Sequence, residues 1–203
     1  MIIVYHQNNK IVEVKFGEGN VLFSQKSIAS NLFQIAEKYP QQLIIWCLVD
    51  LKSNLNKEKF GEIFHHKKIA ASYNIATDSL LSEIVGYVDE SVFLNVKKEV
   101  SYPTWMMSGD VGGIHAEVLN ALKSKVNEDV NFDYFLHSIA KLASLAGLLC
   151  YSEPLLINCS SEIIKKNGKS NLLTFRFVKQ HYRMRWLSLL FLNVLIYDKK
   201  LSF

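Results

Sequence analysis

Leu43-Ile44-Ile45-Trp46-Cys47-Leu48-Val49-Asp50 is an unbroken apolar run closed by an acid. A strand covered on both faces, as in a parallel sheet, reads this way, because neither face has to meet water. Its acidic end falls where α/β sheets present ligand-binding groups, at the carboxyl edge. Toward the N-terminus, Ser27 caps a helix whose apolar residues Ile28, Leu32, Ile35 and Ala36 keep helical spacing and stop before Pro40. Before it, Ile11-Val12-Glu13-Val14-Lys15-Phe16 alternates as a half-buried strand. Ile2-Ile3-Val4-Tyr5 predicts another, closed by the turn-prone Gln7-Asn8-Asn9.

Toward the C-terminus, Ile69–Tyr73 and Ile84–Val88 predict strands, the second ending at Asp89-Glu90. Tyr102 to Gly113 reads as a strand entering a glycine-rich turn. Helices are predicted over Ile114–Val126 and Phe132–Ala146, the second ended by Gly147 at C′. Leu148–Tyr151 is a strand running up to Pro154. Beyond the polar Lys165–Ser170 segment neither Gly nor Pro occurs through Phe203, so one long helix or two should follow. The expected class is α/β: a mixed, mainly parallel sheet flanked by helices over residues 1–160, with a basic and apolar helical extension over 161–203.

With 203 residues, 49% of them apolar, and a net charge of +4, the chain suits one domain or one plus an appendage, and intrinsic disorder is excluded as its main state. Nucleic acid is not an expected partner, because 23 basic residues against 19 acidic ones describe a dispersed, solvated surface. Cys47, Cys150 and Cys159 are odd in number and lie in or beside apolar stretches, which fits reduced thiols and a cytoplasmic setting. The opening Met1–His6 lacks the basic start of a signal peptide. Leu187–Tyr197 is too short to cross a bilayer, which takes about 20 residues.

The residues able to carry chemistry group at predicted strand ends and turns: Asp50, Asp89-Glu90, Ser108-Gly109-Asp110-Val111-Gly112-Gly113 and Asp133. Each also has a structural reading. Asp133 is a ligand-binding acid or the N-cap of its helix. Asp110 is a ligand or a turn residue. The glycine pair permits a tight turn or, through bare N–H groups, holds an anion. It lacks the spacing of a phosphate loop or a dinucleotide fingerprint. His65-His66, being adjacent, point apart and belong with Lys67-Lys68 to a solvated basic loop. Asp133 and His137 share one side of a helix and suit a surface hydrogen bond better than a metal. Cys150 and Cys159 have no partner at zinc-site spacing, and Ser108 is not in a nucleophile elbow.

From Tyr102 to Leu156 the order is strand, glycine-rich turn, helix, acidic-aromatic helix start, Gly147, strand and Pro154. Tyr-Pro-Thr-Trp-Met-Met-Ser-Gly-Asp-Val-Gly-Gly-Ile-His (102–115) and Phe-Asp-Tyr-Phe-Leu (132–136) carry a resemblance to the GT-A nucleotide-sugar glycosyltransferases of family 2. Ile3–Asn9 sits where that family has its opening strand and loop, and Leu43–Asp50 where it has its uracil-contacting strand. The whole chain is similar to the N-terminal region of larger Bacteroidetes-type members, in which a second catalytic domain follows. The resemblance implies a GT-A-like fold and metal-assisted transfer of sugar from a nucleotide sugar to a glycan or lipid-linked acceptor. Asp89 would hold Mg²⁺ or Mn²⁺ at the departing diphosphate, and Asp133 would deprotonate the acceptor. Ser108, Gly109, Asp110, Gly112 and Gly113 would position donor or acceptor, Asp50 would meet the base, and Trp105 would stack on a sugar. Val88-Asp89-Glu90-Ser91 departs from the family's Asp-x-Asp pattern in having no second Asp two places on. That departure motivates an alternative: a catalytically degenerate GT-A-like module that binds glycan or a partner protein. An α/β protein unrelated to sugars is the third reading.

Arg176, Arg183 and Arg185 are all the arginines of the chain. Phe175 to Trp186 interleaves cations with aromatics, and a mostly apolar run to Tyr197 precedes Lys199-Lys200. This end reads either as a helix lying in an anionic membrane interface or as one packed on the core or on a following domain.

Overall fold

The chain opens on a hairpin whose two-residue loop, Asn8-Asn9, takes positive φ at both positions (49° and 61°). That is the geometry of a type I′ turn, whose twist matches that of the flanking strands, and asparagine tolerates it better than most residues. The hairpin joins β1 (Ile2–Gln7) to β2 (Lys10–Phe16), with a bulge at Val12 where the pairing steps from Tyr5↔Glu13 to His6↔Ile11. The computed structural model describes residues 1–17, 19–20, 27–75, 99–127, 131–158 and 171–198. These fall into two compact units, 1–75 with 99–158, and 171–198.

In the first unit the remaining strands are β3 (Gly19–Asn20), β4 (Leu43–Leu48), β5 (Ile69–Tyr73), β6 (Tyr102–Pro103), β7 (Val111–His115) and β8 (Leu149–Ser152). They form one mixed sheet in the order β3-β2-β1-β4-β7-β5-β8-β6. Five of the eight strands run in one direction, yet only β1/β4 and β5/β8 pair in parallel. The expectation of a mainly parallel sheet is therefore corrected. A reversed strand, β7, lies between β4 and β5 and makes both of its own pairings antiparallel. The uninterrupted apolar run of β4 follows from cover on both faces, whichever way its neighbours run.

One face carries α1 (Ile28–Lys38), α3 (Ala116–Leu122) and α4 (Phe132–Ser144). Trp46 on β4 meets Phe132 of α4 edge-to-face at 5.9 Å, and Phe33 of α1 meets Phe135 at 5.4 Å. The opposite face is covered by the segment after β4, with the short α2 (Phe60–Ile63) and the buried Leu51, Leu55, Phe60 and Phe64. Trp46, Tyr5, Tyr134, Phe33 and Phe135 are fully buried. One expected helix start and one expected helix end hold: Ser27 Oγ accepts the Ser30 N–H, and Gly147 ends the turn after α4 with φ +90°.

Three local expectations change. Gly112-Gly113 lie inside β7 rather than in a turn, so the following helix starts at Ala116 instead of Ile114. The cap of α4 is Asn131, whose Oδ1 accepts the N–H groups of Asp133 and Tyr134, not Asp133 itself. His137 is buried, so it does not lie on the solvated helix surface expected for its pairing with Asp133. The strand expected over Ile84–Val88 lies outside the described residues.

The second unit holds α5 (Asn171–His181) and α6 (Met184–Asn193), the latter continuing as a wider turn to Asp198. The two-helix form of the C-terminal segment is the one observed.

Candidate functional site

The carboxyl edge of β1 and β4 is crossed by the segment Met107–Asp110, which then enters β7. Its position follows from the glycines behind it. A Cβ on Gly112 would lie 2.5 Å from the Trp46 indole, so glycine at 112 is what admits this ring between β4 and β7. The ring then holds the segment, its Nε1–H donating to the Ser108 carbonyl at 3.0 Å. The Phe64 ring takes the space in front of Gly113 in the same manner. Gly112 and Gly113, expected to bind donor or acceptor, thus lie within β7, each facing a packed aromatic ring.

Every residue of Ser108-Gly109-Asp110 is held by several elements. The Ser108 N–H donates to Ser72 Oγ of β5 at 2.9 Å, and Ser108 Oγ accepts the Asp110 N–H at 3.1 Å. The Gly109 N–H donates to Asp133 Oδ1 at 2.6 Å, linking the segment to the first turn of α4. On the other side of the same peptide, His6 Nε2 lies 2.7 Å from the Gly109 carbonyl oxygen. A carbonyl only accepts, so the ring is the tautomer with hydrogen on Nε2. The Asp110 carbonyl accepts from Leu48 N–H at 2.7 Å, and its Oδ2 accepts from Ile75 N–H at 3.0 Å. Ser108, Asp110 and His6 are all buried. Beneath them the Cys47 thiol is pushed up to about 12, chiefly by burial and then by the negative charge of Asp110. A thiol so placed stays protonated and is not a nucleophile.

The expected site residues thus divide. Asp133, Ser108, Gly109 and Asp110 come together in one hydrogen-bonded network at the carboxyl edge. Asp50 lies exposed in the turn Val49–Leu51 just past β4, two residues beyond Leu48. Trp105 is half-buried on the flank of α4, with the His137 ring 5.8 Å away and the Lys141 ammonium 5.1 Å from its centroid. It lines a groove of about 330 Å³ together with Thr104, Lys141, Leu145 and Tyr151. Asp89 lies outside the described residues. Among the described residues no group of three or more His, Cys, Asp or Glu side chains could hold a metal ion.

His6, Trp46 and Ser72 complete the network, and none was singled out from the sequence. The available signal was a polar residue closing an otherwise buried strand, which His6 is at the end of β1. Comparison of the chain with protein-family models, curated proteins and solved structures finds no match.

Proposed function

We propose that the α/β unit is a GT-A-like module that recognises a glycan without transferring sugar. The observation that carries this reading is the Gly109 N–H seated on Asp133 Oδ1 at 2.6 Å. A general base needs its oxygen within hydrogen-bond reach of the proton it removes. In this protein one of the two carboxylate oxygens of Asp133 holds a loop, and the neighbouring Asp110 carboxylate is buried and bonded to the Ile75 N–H. Both acids on the acceptor side are engaged in building the edge, which accords with the absence of a second Asp two places after Asp89 in the sequence. A surface open to a sugar is the Trp105 groove, lined by the Trp105 ring, by Lys141, whose ammonium lies 5.1 Å from the ring centre, and by Thr104. Ligand sites combine apolar walls with a few placed polar groups in this way.

The test is a turnover assay with UDP-glucose, UDP-galactose and GDP-mannose in the presence of Mn²⁺, paired with glycan-array binding. No release of nucleoside diphosphate above the protein-free control is expected, with array binding lost in Trp105→Ala at unchanged melting temperature. Turnover that disappears in Asp133→Asn, again at unchanged melting, would restore the catalytic reading. An array blank for the native protein would end the glycan reading.

A further inference from the structure

We propose that the helix pair of residues 171–198 is a docking surface for an anionic lipid bilayer. A helix on the surface of a soluble domain ordinarily turns its polar stripe outward. In α6 and the turn after it the arrangement is reversed. Met184, Leu189, Phe191, Leu192, Leu195 and Ile196 are all exposed, Met184 and Ile196 at 67% and 61%, while Leu190 and Val194 are buried. The exposed apolar positions recur at helical spacing on the side that also carries Ser188 and Arg185, so they form one largely apolar face rather than scattered singles.

Between this helix and α5 runs a groove of about 820 Å³, lined by Leu172 and Phe175 on one side and Leu187, Phe191 and Leu192 on the other. Arg176 and Lys179 stand on its α5 wall. Arg183 and Arg185 are exposed at the start of α6, and Arg185 lies 5.6 Å from the centre of the half-buried Trp186 ring.

Charge selects the occupant. Residues 163–197 contain seven of the 23 basic residues and none of the 19 acidic ones, so the remainder of the chain is net acidic. A second copy of this surface would set cation against cation. An anionic bilayer offers phosphates to Arg176, Lys179, Arg183 and Arg185, and hydrocarbon to the aliphatic face. Trp186 beside Arg185 is the pairing favoured at headgroup depth. The helices are 11 and 10 residues long, and no helix among the described residues is long and apolar enough to cross a membrane. The geometry available is therefore that of a helix lying in the interface.

The experiment is flotation of the full chain with vesicles of phosphatidylcholine alone and of an equal mixture with phosphatidylglycerol, at low and high ionic strength. The protein should float with the mixed vesicles, weakly with the neutral ones, and less as salt rises. The double variant Arg183→Glu/Arg185→Glu should lower the partition coefficient at least about tenfold, since each basic residue near an anionic surface contributes on the order of 1 kcal/mol. Leu192→Ser/Ile196→Ser should lower it by a comparable factor through lost apolar burial, about tenfold or more. Both variants replace exposed side chains, and unchanged circular-dichroism melting confirms that they fold. The proposal is overturned by absence of flotation with the mixed vesicles, by binding indifferent to both variants, or by lipid-free self-association that Leu192→Ser/Ile196→Ser abolishes.

Discussion

A Cβ at position 112 would lie 2.5 Å from the Trp46 indole and 2.7 Å from the Ala71 carbonyl oxygen, while one at 113 would meet the side chains of Ile45 and Phe64. The difference is between backbone and side chain. Ala71 belongs to the β5 ladder and cannot retreat alone, whereas Phe64 can rotate or shift. Overpacking of a filled interior typically costs about 1–3 kcal/mol. We therefore expect Gly112→Ala to lose about 3 kcal/mol and Gly113→Ala about 1–2 kcal/mol in urea unfolding, with unchanged m-values. Gly61→Ala is the control: nothing lies within 4 Å of its added Cβ, and it sits in α2, so it should be neutral or stabilising by up to about 1 kcal/mol. Asp133 permits an equally sharp contrast. Asparagine keeps an acceptor oxygen for the Gly109 N–H and alanine does not. Asp133→Ala should cost about 1.5–3 kcal/mol, the range for a hydrogen bond to a charged group, and Asp133→Asn less than about 1 kcal/mol. Equal losses in the two variants would show that this contact does not hold the edge together.

At the scale of the element, α1 and α4 begin on residues whose side chains satisfy N–H groups that no helical carbonyl can reach. Ser27 takes one such group and Asn131 takes two. Ser27→Ala should lower stability by about 1 kcal/mol and Asn131→Ala by up to about 2 kcal/mol, read from thermal or urea unfolding. A cost at Asn131 no greater than at Ser27 would mean that the second bond adds nothing. These starts were legible because capping is a local transaction: Ser27 before Ile28, and the Asn131-Phe-Asp stretch before an apolar period, announce a helix whatever surrounds it. The choice between Asn131 and Asp133 as cap was not legible, since both residue types cap well. Gly112-Gly113 misled for a related reason. A pair of glycines raises turn propensity wherever it stands, and its true cause lies 66 residues upstream in Trp46, whose bulk no local pattern assigns to that place. The reversed direction of β7 was hidden likewise, because a strand buried on both faces looks the same in either orientation. At the site, Asp50 follows β4 as the hydrophobic run implied, whereas Asp110 precedes β7 and Asp133 stands in the first turn of α4, and their partners Ile75 and Gly109 are set by tertiary contact.

The whole molecule is bounded in pH by groups that burial keeps neutral. Cys47 is raised to about 12 and Cys150 to about 11, and Tyr5 and Tyr73 are also raised, in each case chiefly by burial. Below pH 9, the ordinary value for these thiols, folded and unfolded chains both keep the proton and the thiols add no slope. Above it the unfolded chain releases the proton more readily than the folded one, so stability falls as pH climbs toward the folded values. On the acid side His115 is lowered from 6.5, first by burial, in spite of an opposing backbone hydrogen bond at Phe64. As pH drops below 6.5 the unfolded chain takes that proton first, and stability declines again. His115 is only half-buried, so its slope should be the shallower of the two. Urea unfolding across the pH range should therefore give a plateau between about pH 7 and 9, with a shoulder below 6.5 that precedes the titration of surface carboxylates. Cys47→Ala removes the deepest of the four basic-side groups. Its own curve should sit lower by the cost of a small cavity and fall less steeply above pH 9 than the native curve does. Parallel curves across that limb would mean that Cys47 ionises no later in the folded chain than in the unfolded one, and that the charge of Asp110 does not reach it.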